Sequence, residues 1–254
     1  MKLVLPTPPT LFIPRMIPHA AKSSNTRGFT LVELLTVIGI IVLLMALVMP
    51  AMNGIKGGTD LKSATTEISG TLEQARAYAM ANNTFVYVGF QEVDVSKADS
   101  ATPQTSGTGR LAVAVVASKD GTRFPTSALT TNIVAISKLQ RFENLHMGPP
   151  ATTIARPTQN NVLVSDGSID LAAEAFSWPL GGTAKYKFKR VIEFDPQGVP
   201  RPPQGSPSKG WTETIVSRLE IGLRQSKGNT DIASATESAI QLDGVTGAST
   251  IYRP

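Results

Sequence analysis

From Phe29 to Met49 the only polar side chains are Thr30, Glu33 and Thr36. About 20 residues rising 1.5 Å each cross a hydrocarbon layer of roughly 30 Å, so this run predicts a helix long enough to span a bilayer. A secretory signal peptide would carry a shorter apolar region and then a small-residue cleavage site. Here the run ends in Met49-Pro50-Ala51-Met52, and the junction with a polar leader, Arg27-Gly28, lies on its other side. The acid needs explaining, because an ionised carboxylate inside a membrane helix costs about 2.5 to 3.5 kcal/mol on insertion scales.

The stretch Arg27-Gly28-Phe29-Thr30-Leu31-Val32-Glu33-Leu34-Leu35 resembles the class III signal of type IV prepilins and type II secretion pseudopilins. That resemblance implies that a prepilin peptidase cuts between Gly28 and Phe29 and that Phe29 becomes the N-methylated first residue. Glu33 then matches the acid at the family's fifth mature position. An amine at Phe29, one helical turn away or on a neighbouring chain, could partner it; two unit charges 4 Å apart attract by about 4 kcal/mol at an effective dielectric near 20. On this reading Glu33 aligns incoming subunits, the alternative being a signal anchor that tolerates an acid near its cytoplasmic end.

Composition divides at the same junction. Residues 1–28 carry Lys2, Arg15, Lys22 and Arg27 and no acid, leaving 226 residues with 20 basic and 19 acidic side chains. The basic balance therefore belongs to the leader, which the positive-inside rule holds in the cytoplasm, placing the rest of the chain in the periplasm. The expected organisation is a cleaved leader, 1–28, a transmembrane and polymerisation helix, 29–56, and a periplasmic head, 57–254. Cysteine is absent, so the head must be held by its core. His146 is the one histidine after the leader; with no G-x-S-x-G motif, no phosphate-binding loop and no metal-ligand cluster, it reads as structural or solvated. A calcium site built from loop carboxylates and carbonyls would leave no local pattern to read.

Pro50 lacks an amide hydrogen and predicts a helix kink or stop, and pilin-like proteins commonly carry a proline at this point. Thr59 or Asp60 can cap a renewed helix whose apolar positions Leu61, Ala64, Ile68, Leu72, Ala75 and Ala79 recur at helical spacing. Asn82-Asn83 can end it. Strands are expected at 85–90, 111–117, 133–136, 139–142, 162–165, 185–194, 214–223 and 239–242, with turns at Asp120-Gly121, Asp166-Gly167 and Asp243-Gly244 and long loops at 96–109, 147–160 and 195–210. The fold class is α+β and pilin-like: a long N-terminal helix, half membrane-spanning and half amphipathic, packed on an antiparallel sheet.

The helix segment Leu72-Glu73-Gln74-Ala75-Arg76-Ala77-Tyr78-Ala79, the run Ile192-Glu193-Phe194-Asp195-Pro196-Gln197-Gly198 and the closing Val245-Thr246-Gly247 are similar to the H-type minor pseudopilins of type II secretion and to FimT-like minor pilins. The resemblance implies a non-enzymatic filament subunit whose partners are prepilin peptidase, other pilin or pseudopilin subunits and the inner membrane, with no cofactor. Lys185, Lys187 and Lys189 alternate along one expected strand; they read either as a solvated lysine face or as a phosphate-tracking stripe for nucleic acid, as in a minor type IV pilin that binds DNA or a surface. An anchored enzyme is the third reading. Trp178 and Trp211 read as packing or loop anchors.

Overall fold

The computed structural model describes residues 28–123, 132–165, 167, 169–171, 173–203, 212–213, 215–232 and 236–254, with backbone only at 47–59. The leader up to Arg27, Trp211, the first residue of the Asp166-Gly167 turn and residues 204–210 of the 195–210 loop lie outside these residues. The chain divides into two compact units, Met1–Val48 and Met49–Pro254.

One helix, α1, is assigned over Leu31–Asn82. Its backbone is helical on both sides of Pro50, so Thr59 and Asp60 lie inside it and begin no new helix. In the first unit every residue from Gly28 to Ala46 is exposed. In the second unit Leu61, Ala64, Ile68, Leu72, Ala75 and Ala79 form the buried stripe that their spacing predicts. The helix stops where expected: Asn83 takes a left-handed φ of 47°, and the Thr84 amide donates to the Ala79 carbonyl at 3.1 Å, closing the end as a Schellman motif.

The strands in chain order are β1 (Val86–Asp94), β2 (Gly109–Ser118), β3 (Ile133–Ala135), β4 (Gln140–Met147), β5 (Asn161–Leu163), β6 (Phe176–Trp178), β7 (Tyr186–Phe188), β8 (Arg190–Phe194), β9 (Pro200–Arg201), β10 (Arg218–Lys227), β11 (Thr230–Asp231), β12 (Glu237–Asp243) and β13 (Ser249–Tyr252). Among the described residues eleven join one sheet whose main path runs β13-β12-β10-β4-β2-β1-β8-β9, and β6 and β7 form a separate hairpin. Pairing is antiparallel throughout except that β5 runs parallel to β10, which corrects the purely antiparallel expectation.

Two layers cover the central strands. The α1 stripe packs with Val86, Val88, Phe90, Leu111, Val113 and Val115 in one core. The residues between them, Tyr87, Ala112, Ala114 and Val116, point the other way and pack with Phe176, Tyr186 and Phe188 of the hairpin. All ten residues of β2 are therefore buried, which is why Leu111 to Ala117 is continuously apolar and does not alternate. Gly89 permits the close approach: a Cβ there would lie 2.6 Å from Phe176 Cζ and 2.8 Å from Phe188 Cγ, whose rings stack with centroids 4.8 Å apart.

The expected strand 185–194 is two strands in different layers. Tyr186 and Phe188 belong to the hairpin, Val191 to Phe194 pair with β1, and Lys189 carries the chain across. The expected strand 214–223 begins later and runs further, over Arg218–Lys227. Buried charge fastens the long loops: Arg156 pairs with Glu220 on β10 and donates to the carbonyls of Pro150, Ala151 and Ile154, pinning the 148–160 segment.

Candidate functional site

Gly28, Phe29 and Thr30 are non-helical, and α1 starts immediately after them. The start is a reciprocal cap. Glu33 Oε2 accepts from both the amide and the hydroxyl of Thr30, each at 2.9 Å, while the Glu33 amide donates to Thr30 Oγ1 at 3.2 Å. The pattern T-x-x-E is a capping box, with Thr30 as N-cap and Glu33 at the third helical position. Leu34 then donates to the Thr30 carbonyl at 3.1 Å as the first helical bond, and the Thr36 hydroxyl turns back onto the Val32 carbonyl at 2.5 Å. All three polar groups of the apolar run therefore find partners within its first two turns. Beyond them Leu31, Val32, Leu34, Leu35 and the residues to Met45 present bare apolar surface, from Phe29 at 80 % exposed to Ile41 at 44 %.

Residues 23–49 match the family model of the prokaryotic N-terminal methylation motif. This chain carries a class III signal of the type IV pilin and pseudopilin kind. A signal of this kind implies processing by prepilin peptidase and assembly with other pilin subunits, and it points to anchoring at the inner membrane through the N-terminus. The match covers only this segment; no curated protein and no solved structure matches the chain. Among the described residues no helix is long and apolar enough to cross a membrane; the described side chains of the apolar run stop at Ala46, short of its sequence end at Met49.

The three other segments with a family likeness meet at one point of the second unit. A Cβ on Gly247 would lie 2.1 Å from the Gly198 carbonyl oxygen and 3.0 Å from Arg76 Cδ, and one on Gly198 would lie 2.9 Å from Met80 Sδ and 3.2 Å from Arg76 Cγ. The closing hairpin turn thus seats on the 195–198 turn and on α1 together. Glu73 adds a bond from the Ser249 amide at 2.5 Å.

The lysines do not form one open face. Lys185 lies 3.6 Å from Asp99, which also holds Arg141 at 2.8 Å and Arg110 at 3.4 Å, while Lys187 lies 2.9 Å from Glu174. The Arg141 hydrogen bond, aided by these cations, keeps the Asp99 carboxyl below its ordinary range. His146 on β4 reaches Glu92 on β1 at 2.7 Å and faces Asp231 on β11 at 3.7 Å. The Glu92 hydrogen bond raises its imidazole above the usual value, against partial burial. Among the described residues no group of three His, Asp or Glu side chains is placed to hold a metal ion. Thr30 is a functional candidate to which the lone acid does not by itself point; T-x-x-E at the start of the apolar run is its signal.

Proposed function

We propose that the chain is a minor pseudopilin-like subunit, cut between Gly28 and Phe29, methylated at Phe29 and polymerised through the helix from Phe29 to about residue 56. The observation that carries this is the coincidence of the methylation motif at residues 23–49 with a helix start that falls just past the expected cut, capped by Glu33 itself. After cleavage Phe29 would precede the N-cap, with its amine close to the one acid of the apolar run. Apolar side chains that find no cover in the isolated chain would then pack against neighbouring helices, out of lipid, as subunits enter a short filament or its tip. A bend at Pro50 belongs to this proposal, as does a single-pass topology with the head in the periplasm.

The convergence of Arg76, Gly198 and Gly247 supports the H-type reading, because the three short likenesses become one packed feature. The DNA-binding minor pilin reading draws less support, since Lys185 and Lys187 already face carboxylates. Function here is assembly without turnover. Mass spectrometry of the N-terminus from the membrane fraction tests the cut: methyl-Phe29 is expected, and an intact Met1 or a cut beyond Pro50 removes the basis of the proposal.

A further inference from the structure

With no cysteine in the chain, its thioethers are the sulfur groups open to two-electron oxidants. The second unit has two methionines among its described side chains, and they differ sharply: Met147 on β4 is 2 % exposed, whereas Met80, in the last turn of α1, is 41 % exposed. The exposed one also touches a junction of three segments. A Cβ on Gly198 would lie 2.9 Å from Met80 Sδ and 3.1 Å from its Cγ, so the thioether fills the space that a side chain at 198 would take. Gly198 in turn seats the closing hairpin, since a Cβ on Gly247 would lie 2.1 Å from the Gly198 carbonyl oxygen. An oxidant can therefore reach a sulfur on which the packing of the 195–198 turn depends.

The chemistry is a transfer of one oxygen atom. A sulfur lone pair attacks one oxygen of hydrogen peroxide, the S–O bond forms as the O–O bond breaks, and the hydroxide released takes the hydroxyl proton and leaves as water. The thioether is oxidised by two electrons to the sulfoxide and the peroxide is reduced. The product is polar where the parent side chain was apolar, and its oxygen needs a hydrogen-bond donor. The Gly198 face does not supply one: the Gly198 amide already donates to the Asp195 carbonyl at 2.8 Å, and the nearest part of Arg76 is Cγ, 3.2 Å from the same Cβ point, while its Nε lies against Gly247. Hydration of the sulfoxide therefore lifts the side chain off Gly198 and uncovers the surface on which the closing turn rests.

We propose that Met80 is an oxidation site, where conversion to the sulfoxide by hydrogen peroxide loosens the 195–198 turn and with it the β12–β13 hairpin, and where reduction of the sulfoxide seats them again. The site is separate from the apolar run and stands whatever the fate of the cleavage reading.

The test treats the full chain in dodecyl maltoside with limiting hydrogen peroxide, locates added oxygen by peptide mass spectrometry and follows hydrogen exchange of the Ser249 amide, which donates to Glu73 at the same junction. Met80 should gain oxygen about tenfold faster than Met147, whose sulfur is reached only by local opening. The oxidised protein should exchange the Ser249 amide about fivefold faster, and methionine sulfoxide reductases for both epimers should restore the parent rate. Met80→Leu, a swap of similar volume, should exchange as the parent does and stay unmoved by peroxide, although every other methionine remains. Oxidation of Met147 as fast as Met80, a Met80 sulfoxide that leaves Ser249 exchange unchanged or slower, or the same acceleration by peroxide in Met80→Leu would each overturn the proposal.

Discussion

Thr30 and Glu33 satisfy each other across the first turn of α1, the hydroxyl and amide of one on the carboxylate of the other and the return amide on the hydroxyl. Glu33 therefore has two separable jobs, capping a helix start and carrying a charge. A capping box accepts glutamine as well as glutamate, so Glu33→Gln removes the charge and keeps the cap.

The first prediction follows from that separation. In detergent micelles Glu33→Gln should leave hydrogen exchange of the first helical turn unchanged while abolishing incorporation into filaments. Thr30→Ala should do the reverse, speeding exchange of the Val32 and Glu33 amides by about fivefold, the effect of losing about 1 kcal/mol of cap. If Glu33→Gln frays the helix start, the carboxylate is chiefly a cap and its assembly role fails.

The second prediction concerns the layer that covers the far face of the sheet. Gly89→Val would drive two methyl groups into the stacked rings of Phe176 and Phe188. Overpacking of this kind costs about 1 to 3 kcal/mol, so the urea midpoint should fall and near-ultraviolet dichroism from the aromatic cluster should weaken. A substitution with unchanged midpoint would mean that the β6–β7 hairpin does not rest on β1 in solution.

How much of this was legible in the sequence depended on whether local chemistry or long-range pairing decided the outcome. The α1 stripe, its end at Asn83 and the strands around Val86 and Leu111 follow from periodicity and turn chemistry close by in the chain. The break at Lys189 does not, because Lys185 to Lys189 alternates as a strand would, Val191 to Phe194 reads as its continuation, and only the destination of Phe188 on Phe176 divides them. Strand β5 runs parallel because the pinned loop before it returns the chain in the direction of β10, a fact set by Arg156 and Glu220, 64 residues apart. Thr30 was readable from T-x-x-E, but an acid in an apolar run draws attention to a distant partner before a near one.

The third prediction is about that pinned loop. Arg156 and Glu220 are both almost fully buried, so Arg156→Met leaves an uncompensated carboxylate in the core and should cost about 3 to 5 kcal/mol. Limited proteolysis should then open first within residues 148–160. Equal stability of Arg156→Met and the parent would show that the pair is solvated.

The fourth prediction is a pH dependence. Burial outweighs Arg123 at Glu193 and pushes its carboxyl up to about 7, against an ordinary 4.5. Between those values the folded state holds more protons than the unfolded one, so stability falls as pH rises from about 4.5 to about 7 and is then flat with respect to this group. His146 adds to the same trend, because its raised value contributes stability below 6.5 that disappears as pH climbs through the folded value. Urea midpoints should decline from pH 5 to pH 8; Glu193→Gln should flatten the lower part of the decline and His146→Gln the upper part. A parent midpoint that rises over this range would show that the Arg123 pair outweighs burial at Glu193.

The last prediction tests whether the closing turn is seated as Arg76, Gly198 and Gly247 place it. Gly247 has φ 69°, in the left-handed region, and its Cα faces the Gly198 carbonyl so closely that any side chain would overlap it. Gly247→Ala therefore meets both a conformational cost and a clash with main chain, which cannot swing aside as a long side chain can. Arg76→Ala removes contact area from the same junction but adds no clash, and with its Glu73 pair only 3.3 Å long and partly exposed it should cost no more than about 1 kcal/mol. Gly247→Ala should cost more than that and should free the β12–β13 hairpin selectively, seen as faster exchange of the Ser249 amide when its bond to Glu73 is lost. If Arg76→Ala proves the more damaging of the two, the junction is held by the guanidinium and not by the close approach of the two glycines.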